Sequence, residues 1–509
     1  MSSENTEAHT GNVCLRPYQT DAIRRVNARI AAGTRRIVVV LATGGGKTTI
    51  AVQLILEAIS RGEHVLFLAH RRELISQTYR RLVQMGIPEQ DVGVLMGTDR
   101  RRRPAARVQV ASVDTLRNRA KPRAELVFID EAHRSLSRSY REIAAHYPDA
   151  VHLGLTATPY RSDGCGLGDM YQELVVVASP RQLIDEGFLV EPSVFTVPQE
   201  HLPDLSSVHV RAGDYESKAL EEAVNRKGLV GNIVEHWLQL AKGKRTVAFA
   251  ASVEHSKHIA ERFREAGISA EHLDGTTPTD ERDAILARLD RGETQVVCNC
   301  SVICEGWDQP AVKCAILARP TKSTGLYLQQ AGRILRPWND ERAIILDHAG
   351  CAIEHGLPQD DRDFSLDGKK KSGRRVISEA PTKVCPSCCA VVHAACRTCP
   401  ECQAEFPAPD RVPQERSGVL VSASEAREQY LRDEWEKLNR TALERGYKPG
   451  WVFYRFKERF GCVPPKRKIE PSAPAEPSSN FKRILAQEPD PVWAALRYRV
   501  EFGEMPPST

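Results

Sequence analysis

Short runs of apolar, mostly β-branched residues recur along the first part of the chain, separated by stretches rich in Ala, Leu, Glu and Arg. Five of these runs predict buried strands, at Ile37–Ala42, His64–His70, Val108–Ser112, Leu126–Asp130 and His152–Ala157. Strands that are apolar on both faces, with helices between them, are typical of a parallel sheet covered by helices on each side. The pattern predicts a first α/β lobe over residues 14–190.

The same alternation resumes after about residue 190. Further apolar runs predict strands at Thr246–Ser252, Gln295–Cys300, Lys313–Ala318 and Arg342–Ala349, again with helical stretches between them. A second α/β lobe over residues 191–353 is therefore predicted to follow the first.

The pattern changes after the second lobe. Residues 354–383 lose the apolar periodicity and contain LDGKKKSGRR, which predicts a solvated linker. A short cysteine-rich piece follows at 384–406, and then a Pro-containing, partly helical tail at 407–509. Its string GWVFYRFKERFG fits either a small helical core or a nucleic-acid surface, and we favour the core. At the other end, residues 1–13 are polar and are predicted to be disordered.

Composition places the chain among globular proteins and excludes a membrane-spanning one. Its 509 residues allow about three domains, and no apolar run approaches the roughly 18 residues needed to cross a bilayer. The first dozen residues lack the basic-then-apolar order of a secretory signal. We expect a soluble, cytoplasmic protein, associated with the nucleoid if its source is bacterial. The net charge of +5 does not by itself identify a polyanionic partner.

The string LATGGGKTTI joins a predicted strand to a predicted helix, which is where backbone N–H groups can surround phosphates. Lys47 is suited to the β- and γ-phosphates of ATP and Thr48 to Mg²⁺, while glycines keep side chains away from the nucleotide. Leu41 stands where the strict phosphate-loop pattern has glycine, and a chance glycine turn is the alternative. The residues predicted to bind ATP here are Thr43, Gly44, Gly45, Gly46, Lys47 and Thr48.

The string LVFIDEAH places two acids at the carboxyl end of a predicted strand, where an open parallel sheet has its ligand crevice. Asp130 is suited to hold Mg²⁺ together with Thr48, and Glu131 to position or deprotonate the attacking water. Adjacent carboxylates are more often ordinary surface acids. These two follow a phosphate loop by about 80 residues at the end of an apolar strand, and that order favours catalysis.

Together the two strings resemble the superfamily 2 helicases, and this resemblance implies two RecA-like lobes that hydrolyse ATP on nucleic acid. Gln19 of LRPYQ resembles the glutamine that reads adenine, with Arg16 beside the base. Helix-start chemistry at Pro17 is the alternative. The strings AHRREL, ASVDTL and TATP resemble strand-tracking and coupling motifs, which gives Thr156 and Thr158 coupling roles.

Motifs of the second lobe follow in the order that the same family has. CSVICEGWDQP contributes Gly306 and Asp308, which the resemblance places in a loop between strand and nucleotide. QQAGRILRP has the spacing of an arginine-finger motif, with Gln329 as a coupling residue and Arg333 and Arg336 as fingers. Guanidinium groups suit the charge that develops on the transferred phosphoryl group. A basic amphipathic helix is the alternative.

The resemblance narrows to the RadD-type DNA repair helicases, a group close to the XPB-like and type III restriction motors. It rests on TATPYR, FAASVEHS, DGTTPTDERD, RPTKSTGLYLQQAGRILRP and the later cysteines, and it covers about Leu15–Gly350 and the cysteine module. It implies work on single-stranded or branched DNA, with repair or recombination as the setting. An RNA helicase, a restriction-type motor subunit and a zinc-ribbon protein with a decayed ATPase are the alternatives.

Two C-x₂-C pairs, separated by ten residues, are suited to bind one structural Zn²⁺ through Cys385, Cys388, Cys399 and Cys402. Cys389, Cys396 and His393 compete as ligands, and a set of free thiols is the alternative.

The basic run Arg100–Arg103 fits either a phosphate contact or a solvated loop, and we favour the loop.

Overall fold

A computed structural model of the chain describes residues 15–198, 201–211, 213–224, 227–303, 307, 309–368, 381–406, 423–445 and 450–460. The chain divides into two units, residues 1–408 and 409–509. No helix of the described part combines the length and apolarity needed to cross a membrane. The disorder predicted for residues 1–13 concerns positions outside the described residues.

The first lobe is a seven-stranded parallel sheet with the strand order β3-β4-β2-β5-β6-β1-β7. Its strands are β1 (Arg36–Val40), β2 (Val65–Ala69), β3 (Val92–Leu95), β4 (Val108–Ser112), β5 (Leu126–Asp130), β6 (Val151–Thr156) and β7 (Glu173–Val176). Its helices are α1 (Pro17–Ala31), α2 (Lys47–Ser60), α3 (Arg72–Gln84), α4 (Val113–Arg117), α5 (Arg138–Ala144) and α6 (Pro180–Asp185).

Strand β1 shows why its sequence is apolar throughout. Ile37 and Val39 pack into one hydrophobic cluster, and Val38 and Val40 pack into a second one on the other face of the sheet. Successive side chains of a strand point to opposite faces, so a sheet covered on both sides needs apolar residues at every position. All four side chains are at most 1% exposed, which stabilises the lobe by about 1.5–3 kcal/mol for each of them.

The second lobe is a six-stranded parallel sheet with the order β12-β13-β11-β14-β15-β8, to which a small hairpin, β9 and β10, is added. Its strands are β8 (Pro192–Thr196), β9 (Val210–Arg211), β10 (Asp214–Tyr215), β11 (Thr246–Ala250), β12 (Ala270–Leu273), β13 (Val296–Asn299), β14 (Cys314–Ala318) and β15 (Ala343–Asp347). Its helices are α7 (Ser217–Val224), α8 (Lys227–Leu240), α9 (Val253–Glu265), α10 (Thr279–Arg291), α11 (Thr324–Ala331) and α12 (Cys351–His355). The two predicted α/β lobes are confirmed.

Beyond α12 the chain returns to the first lobe. The Phe364 ring lies 6.1 Å from the ring of Tyr160, and the carbonyl of Leu366 accepts a 2.9 Å hydrogen bond from the backbone N–H of Gly168. Residues 357–368 thus tie the second lobe to the first. These residues fall within the predicted linker, residues 354–383. The bounds of the linker and of the other predicted domains stay predictions.

The cysteine-rich piece forms an antiparallel pair, β16 (Thr382–Val384) and β17 (Val391–His393). It lies beside β8 at the edge of the second sheet, where the N–H of Thr196 donates to the carbonyl of Cys389 at 3.0 Å. Arg342 and Glu401 add an ion pair at 2.7 Å. The piece therefore extends the second lobe.

The second unit contains two described helices, α13 (Ala423–Arg445) and α14 (Trp451–Phe460). Phe456 is fully buried and meets Trp435 edge to face at 5.4 Å, and Arg459 pairs with Glu434 at 2.8 Å. These contacts form the small helical core favoured from the sequence, although Tyr454 on the opposite face is 74% exposed.

Candidate active site between the two lobes

The phosphate loop joins β1 to α2, which begins at Lys47. Gly46 precedes the helix with φ of 90°, a left-handed conformation that favours glycine. A Cβ at this position would also lie 2.4 Å from Gln19 Nε2. Glycine is therefore required at residue 46 by both the backbone and its neighbour, and the N–H groups at the start of α2 face the site.

Lys47 lies at the floor of a cavity of about 870 Å³ that is also lined by Thr43, Thr48, Asp130 and Glu131. Its Nζ donates to the carbonyl of Leu41 at 3.0 Å. Desolvation lowers the pKa of Lys47, while the carboxylates of Glu131 and Asp130 oppose that shift. The first lobe thus brings Lys47 and the two acids of the Asp-Glu-Ala-His string to the same cavity.

Glu131 follows the last residue of β5 and adopts φ of 50° and ψ of 58°, a left-handed conformation that costs a non-glycine residue free energy. Its N–H donates to Asp130 Oδ1 at 3.0 Å. His133 Nδ1 lies 3.3 Å from Glu131 Oε2 and 3.4 Å from Thr156 Oγ1. The strained backbone turns the Glu131 side chain into the cavity, and His133 connects it to the end of β6.

Helix α1 packs against the phosphate loop through its first turn. Gln19 Oε1 accepts from the N–H of Arg16 at 3.0 Å, and Gln19 Nε2 donates to the carbonyl of Gly45 at 3.4 Å. The hydroxyl of Tyr18 donates to the same carbonyl at 2.8 Å, and the Arg16 guanidinium lies over the Phe188 ring at 4.6 Å. Gln19 therefore caps α1 and also lies against the loop, next to Arg16.

Helix α11 of the second lobe lies directly on the motifs of the first. A Cβ at Gly325 would be 2.8 Å from Thr158 Oγ1, and a Cβ at Gly332 would be 2.5 Å from the Cβ of Thr43. Between these two points, Gln329 Nε2 donates to Glu131 Oε2 at 3.0 Å. One helix therefore contacts the phosphate loop, the acidic motif and the TATP string together.

Both arginines predicted as fingers line the same cavity as Lys47. Arg333 is 6% exposed, and its Nη1 donates to the carbonyl of Trp307 at 2.5 Å. Arg336 lies against the phosphate loop, where a Cβ at Gly44 would be 3.5 Å from its Cγ. The structure thus brings the five predicted catalytic residues of the two lobes to one cavity, which Arg16, Gln19 and Gln329 do not line.

Gly306 and Asp308, also predicted for this site, lie outside the described residues. Sequence reasoning did not single out His133, Phe188 or Trp307. The first stands in the Asp-Glu-Ala-His string and the third next to Gly306, so both carried a weak signal. Phe188 carried none, because its partner Arg16 lies far away along the chain.

Comparison with known proteins agrees with this geometry. The family described as the type III restriction enzyme res subunit matches residues 12–161, and the helicase conserved C-terminal domain matches residues 229–337. A 51.5 kDa protein of a Lactococcus phage is 34% identical over 71% of this chain and 76% of its own length.

The chain belongs to the superfamily 2 helicases.

This helicase is also similar to IRC3 of Saccharomyces cerevisiae, named as an ATP-dependent helicase, at 34% identity over 66% of this chain and 52% of the yeast protein. It therefore spans about half of that relative. The DNA 3'-5' translocase XPB2 of Sulfurisphaera tokodaii is 24% identical over 65% of this chain and 81% of its own length. A solved fragment of an HsdR subunit of a type I restriction enzyme from Vibrio vulnificus shares the fold, with a TM-score of 0.55 and 20% identity, covering 69% of this chain and 67% of the fragment.

The helicase also has a four-cysteine cluster at the end of its second lobe. The sulfur atoms of Cys385, Cys388, Cys399 and Cys402 all lie within 4.8 Å of one another. The Cys385 and Cys402 sulfurs are 3.7 Å apart, and so are those of Cys388 and Cys399. Tetrahedral Zn–S bonds of about 2.3 Å require sulfur separations of roughly 3.8 Å, so the cluster fits a metal ion of this kind.

Two arginines of the run Arg100–Arg103 make contacts within the first lobe. Arg101 pairs with Asp99 at 2.7 Å and lies over the Tyr79 ring at 4.8 Å. Arg103 Nη1 donates to the carbonyl of Val92 at 3.2 Å. Arg100 and Arg102 are exposed, and the choice between a solvated loop and a phosphate contact stays a prediction.

Proposed function

We propose that this helicase is an ATP-driven motor that moves on DNA and hydrolyses ATP to ADP and phosphate when DNA is bound. The observation that carries the proposal is the shared cavity. Lys47, Asp130 and Glu131 reach it from the first lobe, and Arg333 and Arg336 reach it from the second. Because neither lobe holds the whole set, hydrolysis depends on how the lobes meet.

In this proposal the phosphates of ATP lie at the start of α2. Lys47 holds the β- and γ-phosphates, the glycines of residues 44–46 allow the backbone to wrap around them, and Gln19 and Arg16 lie at the adenine. Thr48 and Asp130 are the residues that would hold Mg²⁺, since a hydroxyl and a carboxylate are the hard oxygen ligands it prefers. When bound, Mg²⁺ neutralises charge on the phosphate oxygens.

Glu131 positions the attacking water and accepts its proton, and the amide of Gln329 holds Oε2 in place. Arg333 and Arg336 neutralise the charge on the transferred phosphoryl group, a contribution worth roughly 10³- to 10⁵-fold in rate for the arginine fingers of GTPases. Gly306 and Asp308 are proposed to signal between the strand and the nucleotide.

Coupling to movement follows from the contacts of α11. The acidic motif is linked to the second lobe through Thr156, Thr158 and Gln329. The Thr156 hydroxyl donates to the carbonyl of Thr158 at 2.8 Å. A Cβ at Gly325 of α11 would lie 2.8 Å from Thr158 Oγ1, so the two residues are in close contact. Separation of the lobes would break the Gln329–Glu131 contact and withdraw the arginines together. ATP binding and product release would therefore close and open the lobes along the strand.

DNA is proposed as the track, with RNA as the outcome that would overturn this part. Support comes from the S. tokodaii relative, which is named a DNA translocase. The narrower resemblance to RadD-type helicases adds repair or recombination as the setting and single-stranded or branched DNA as the substrate. Backbone contacts carry most of the affinity in such motors, so sequence preference is not expected.

A restriction-type motor subunit is the second candidate, because the type III restriction res family matches residues 12–161.

For the cysteine cluster we propose one structural Zn²⁺ bound by all four thiolates, since four ligands leave no open position.

The test is steady-state ATPase activity of the wild-type chain and of Glu131→Gln with single-stranded DNA, duplex DNA and RNA of matched length. We expect stimulation by DNA and its loss in Glu131→Gln. Stimulation by RNA and not by DNA would reject the DNA assignment, and equal hydrolysis by both chains would reject the site. DNA cleavage that appears only with added subunits would select the restriction candidate.

A further inference from the structure

Lys313, the residue before β14, is a buried lysine. It lies next to residues 332–342, the finger segment, which follows α11 and contains Arg333 and Arg336. Its side chain is 0% exposed. Its Nζ donates to the carbonyl of Ile334 at 3.4 Å and, over a shorter distance, to the carbonyl of Arg336. One cation therefore binds two backbone oxygens of the short segment that carries both arginines of the proposed site.

The backbone of Lys313 is fixed by the sheet. Its N–H donates to the carbonyl of Arg245 at 3.1 Å, and its carbonyl accepts from the N–H of Ile344 at 2.8 Å. The ammonium is thus carried by backbone fixed at the amino end of β14, a central strand of the sheet. Burying a lysine here costs free energy, because its charge loses hydration. An apolar side chain would avoid that cost.

The finger segment itself has little regular structure to hold it. Helix α11 ends at Ala331, and the next strand begins at Ala343. The carbonyl of Leu335 accepts from the N–H of Val190 at 2.7 Å, so that carbonyl is held by the connection between the lobes. The carbonyls on either side of it, those of Ile334 and Arg336, are the two that Lys313 binds.

We propose that Lys313 is a positioning residue for ATP hydrolysis, which fixes the backbone that aims Arg333 and Arg336 at the nucleotide. It lies outside the cavity that binds the phosphates and acts only through the fingers. This inference rests on the proposed role of those two arginines. It accounts for a lysine at a position where the fold alone would favour an apolar residue.

The protonation state of Lys313 gives the inference a distinct signature. Burial lowers the pKa of Lys313 to about 8, and the charged groups that face it are Glu341, Lys244 and Arg336. Glu341 is already paired with Lys244 at 3.1 Å. In the folded protein the ammonium loses its charge as the pH rises through about 8, and its hold on the two carbonyls weakens.

The experiment compares kcat and KM for ATP, with saturating DNA, in Lys313→Met, Lys313→Arg and the exposed-lysine control Lys242→Met. We expect Lys313→Met to lose roughly 10- to 100-fold in kcat, because small displacements of catalytic groups have effects of that size. Its KM should stay within about threefold, since Lys47 and the loop glycines are untouched. Lys313→Arg should restore most of the rate, because it keeps a cation and donors.

A double-mutant comparison separates positioning from a purely structural role. If Lys313 acts through the fingers, Lys313→Met added to a variant that lacks both of them, Arg333→Ala with Arg336→Ala, should hydrolyse ATP within about twofold of that double variant. Effects that multiply, or a kcat of Lys313→Met within twofold of wild type, would overturn the inference. Normal hydrolysis by both Arg333→Ala and Arg336→Ala would instead reject the proposed function.

Should Lys313→Met fail to fold, the pH profile decides. The kcat of the wild type is expected to fall above pH 8, and that of Lys313→Arg to fall less, because a guanidinium keeps its charge. The same alkaline profile in both chains would overturn the inference.

Discussion

A single methyl group at Gly332 should disable the motor without unfolding either lobe. Gly332 ends α11 with φ of −64° and ψ of −13°, which alanine adopts readily. A Cβ there would lie 2.5 Å from the Cβ of Thr43 in the phosphate loop, whereas carbon atoms in contact are about 3.5 Å apart or more. The second lobe must therefore withdraw by about 1 Å from the first.

That displacement acts on the proposed fingers, because Arg333 follows Gly332 directly. A misplacement of about 1 Å can lower the rate roughly 100-fold, so we expect a loss of that order in DNA-stimulated kcat for Gly332→Ala. Thermal unfolding should stay near wild type, since the shortest contact of the added Cβ lies between the lobes and not within either of them. Nucleotide binding, followed with a fluorescent ADP analogue, should change little.

Gly275→Ala is the matched control, because a Cβ at Gly275 has no atom within 4 Å in the described structure. It should hydrolyse ATP at the wild-type rate. A kcat for Gly332→Ala within about threefold of wild type would refute the claim that contact between α11 and the phosphate loop sets the active geometry.

Three further predictions concern other parts of the chain. Glu131→Gln should lose roughly 10²- to 10⁴-fold in kcat and still bind nucleotide, whereas Lys47→Ala should lose nucleotide binding as well. Parallel turnover and binding assays check both variants, and normal turnover in either one contradicts the proposed roles. Metal analysis should find one zinc per chain, lost together with thermal stability in Cys399→Ser and kept in Cys165→Ser, a cysteine outside the cluster; zinc-free wild-type protein of full stability would contradict this. Burial, with His236 beside it, lowers the pKa of His348 to about 3, so the unfolded chain binds more protons below about pH 6.5 and stability falls as the pH falls through that window. Urea unfolding at pH 7 and pH 5 should show His348→Phe losing about 2 kcal/mol less than wild type, and equal losses would contradict the assignment.

The sequence predicted the interior strands of both sheets and missed the edges. Within the two large sheets, the four strands without a prediction are β3, β7, β8 and β12, and each is the outermost strand of its sheet. An edge strand has one neighbour and can be short, so it does not need the long apolar run that marks an interior strand. Strand β12 reads AEHL, with charged and polar residues at its centre.

Within the site, motif strings located the groups that are proposed to contact ATP because their spacing is local. The contacts between lobes are not local. Gln329 meets Glu131, and Gly332 meets Thr43, only after both sheets have formed. The string QQAGRILRP shows that these residues matter but not what they lie against. Lys313 gave no signal, since a single lysine before an apolar run is more often exposed.

The residues that tie the second lobe to the first are a further contact that the sequence pattern does not mark. Residues 357–368 have no apolar periodicity, yet the Phe364 ring lies against Tyr160 and Leu366 contacts the first lobe. Irregular segments pack through isolated side chains, and no repeat in the sequence marks them.

Movement along DNA is the central claim, and displacement of streptavidin from biotinylated oligonucleotides tests it most directly. Biotin at either end of single-stranded DNA, and a triplex-forming strand on duplex DNA, cover both kinds of track. We predict ATP-dependent displacement from at least one DNA substrate by the wild type and none by Glu131→Gln. Hydrolysis that DNA stimulates without any displacement, or displacement by Glu131→Gln at the wild-type rate, would contradict the account.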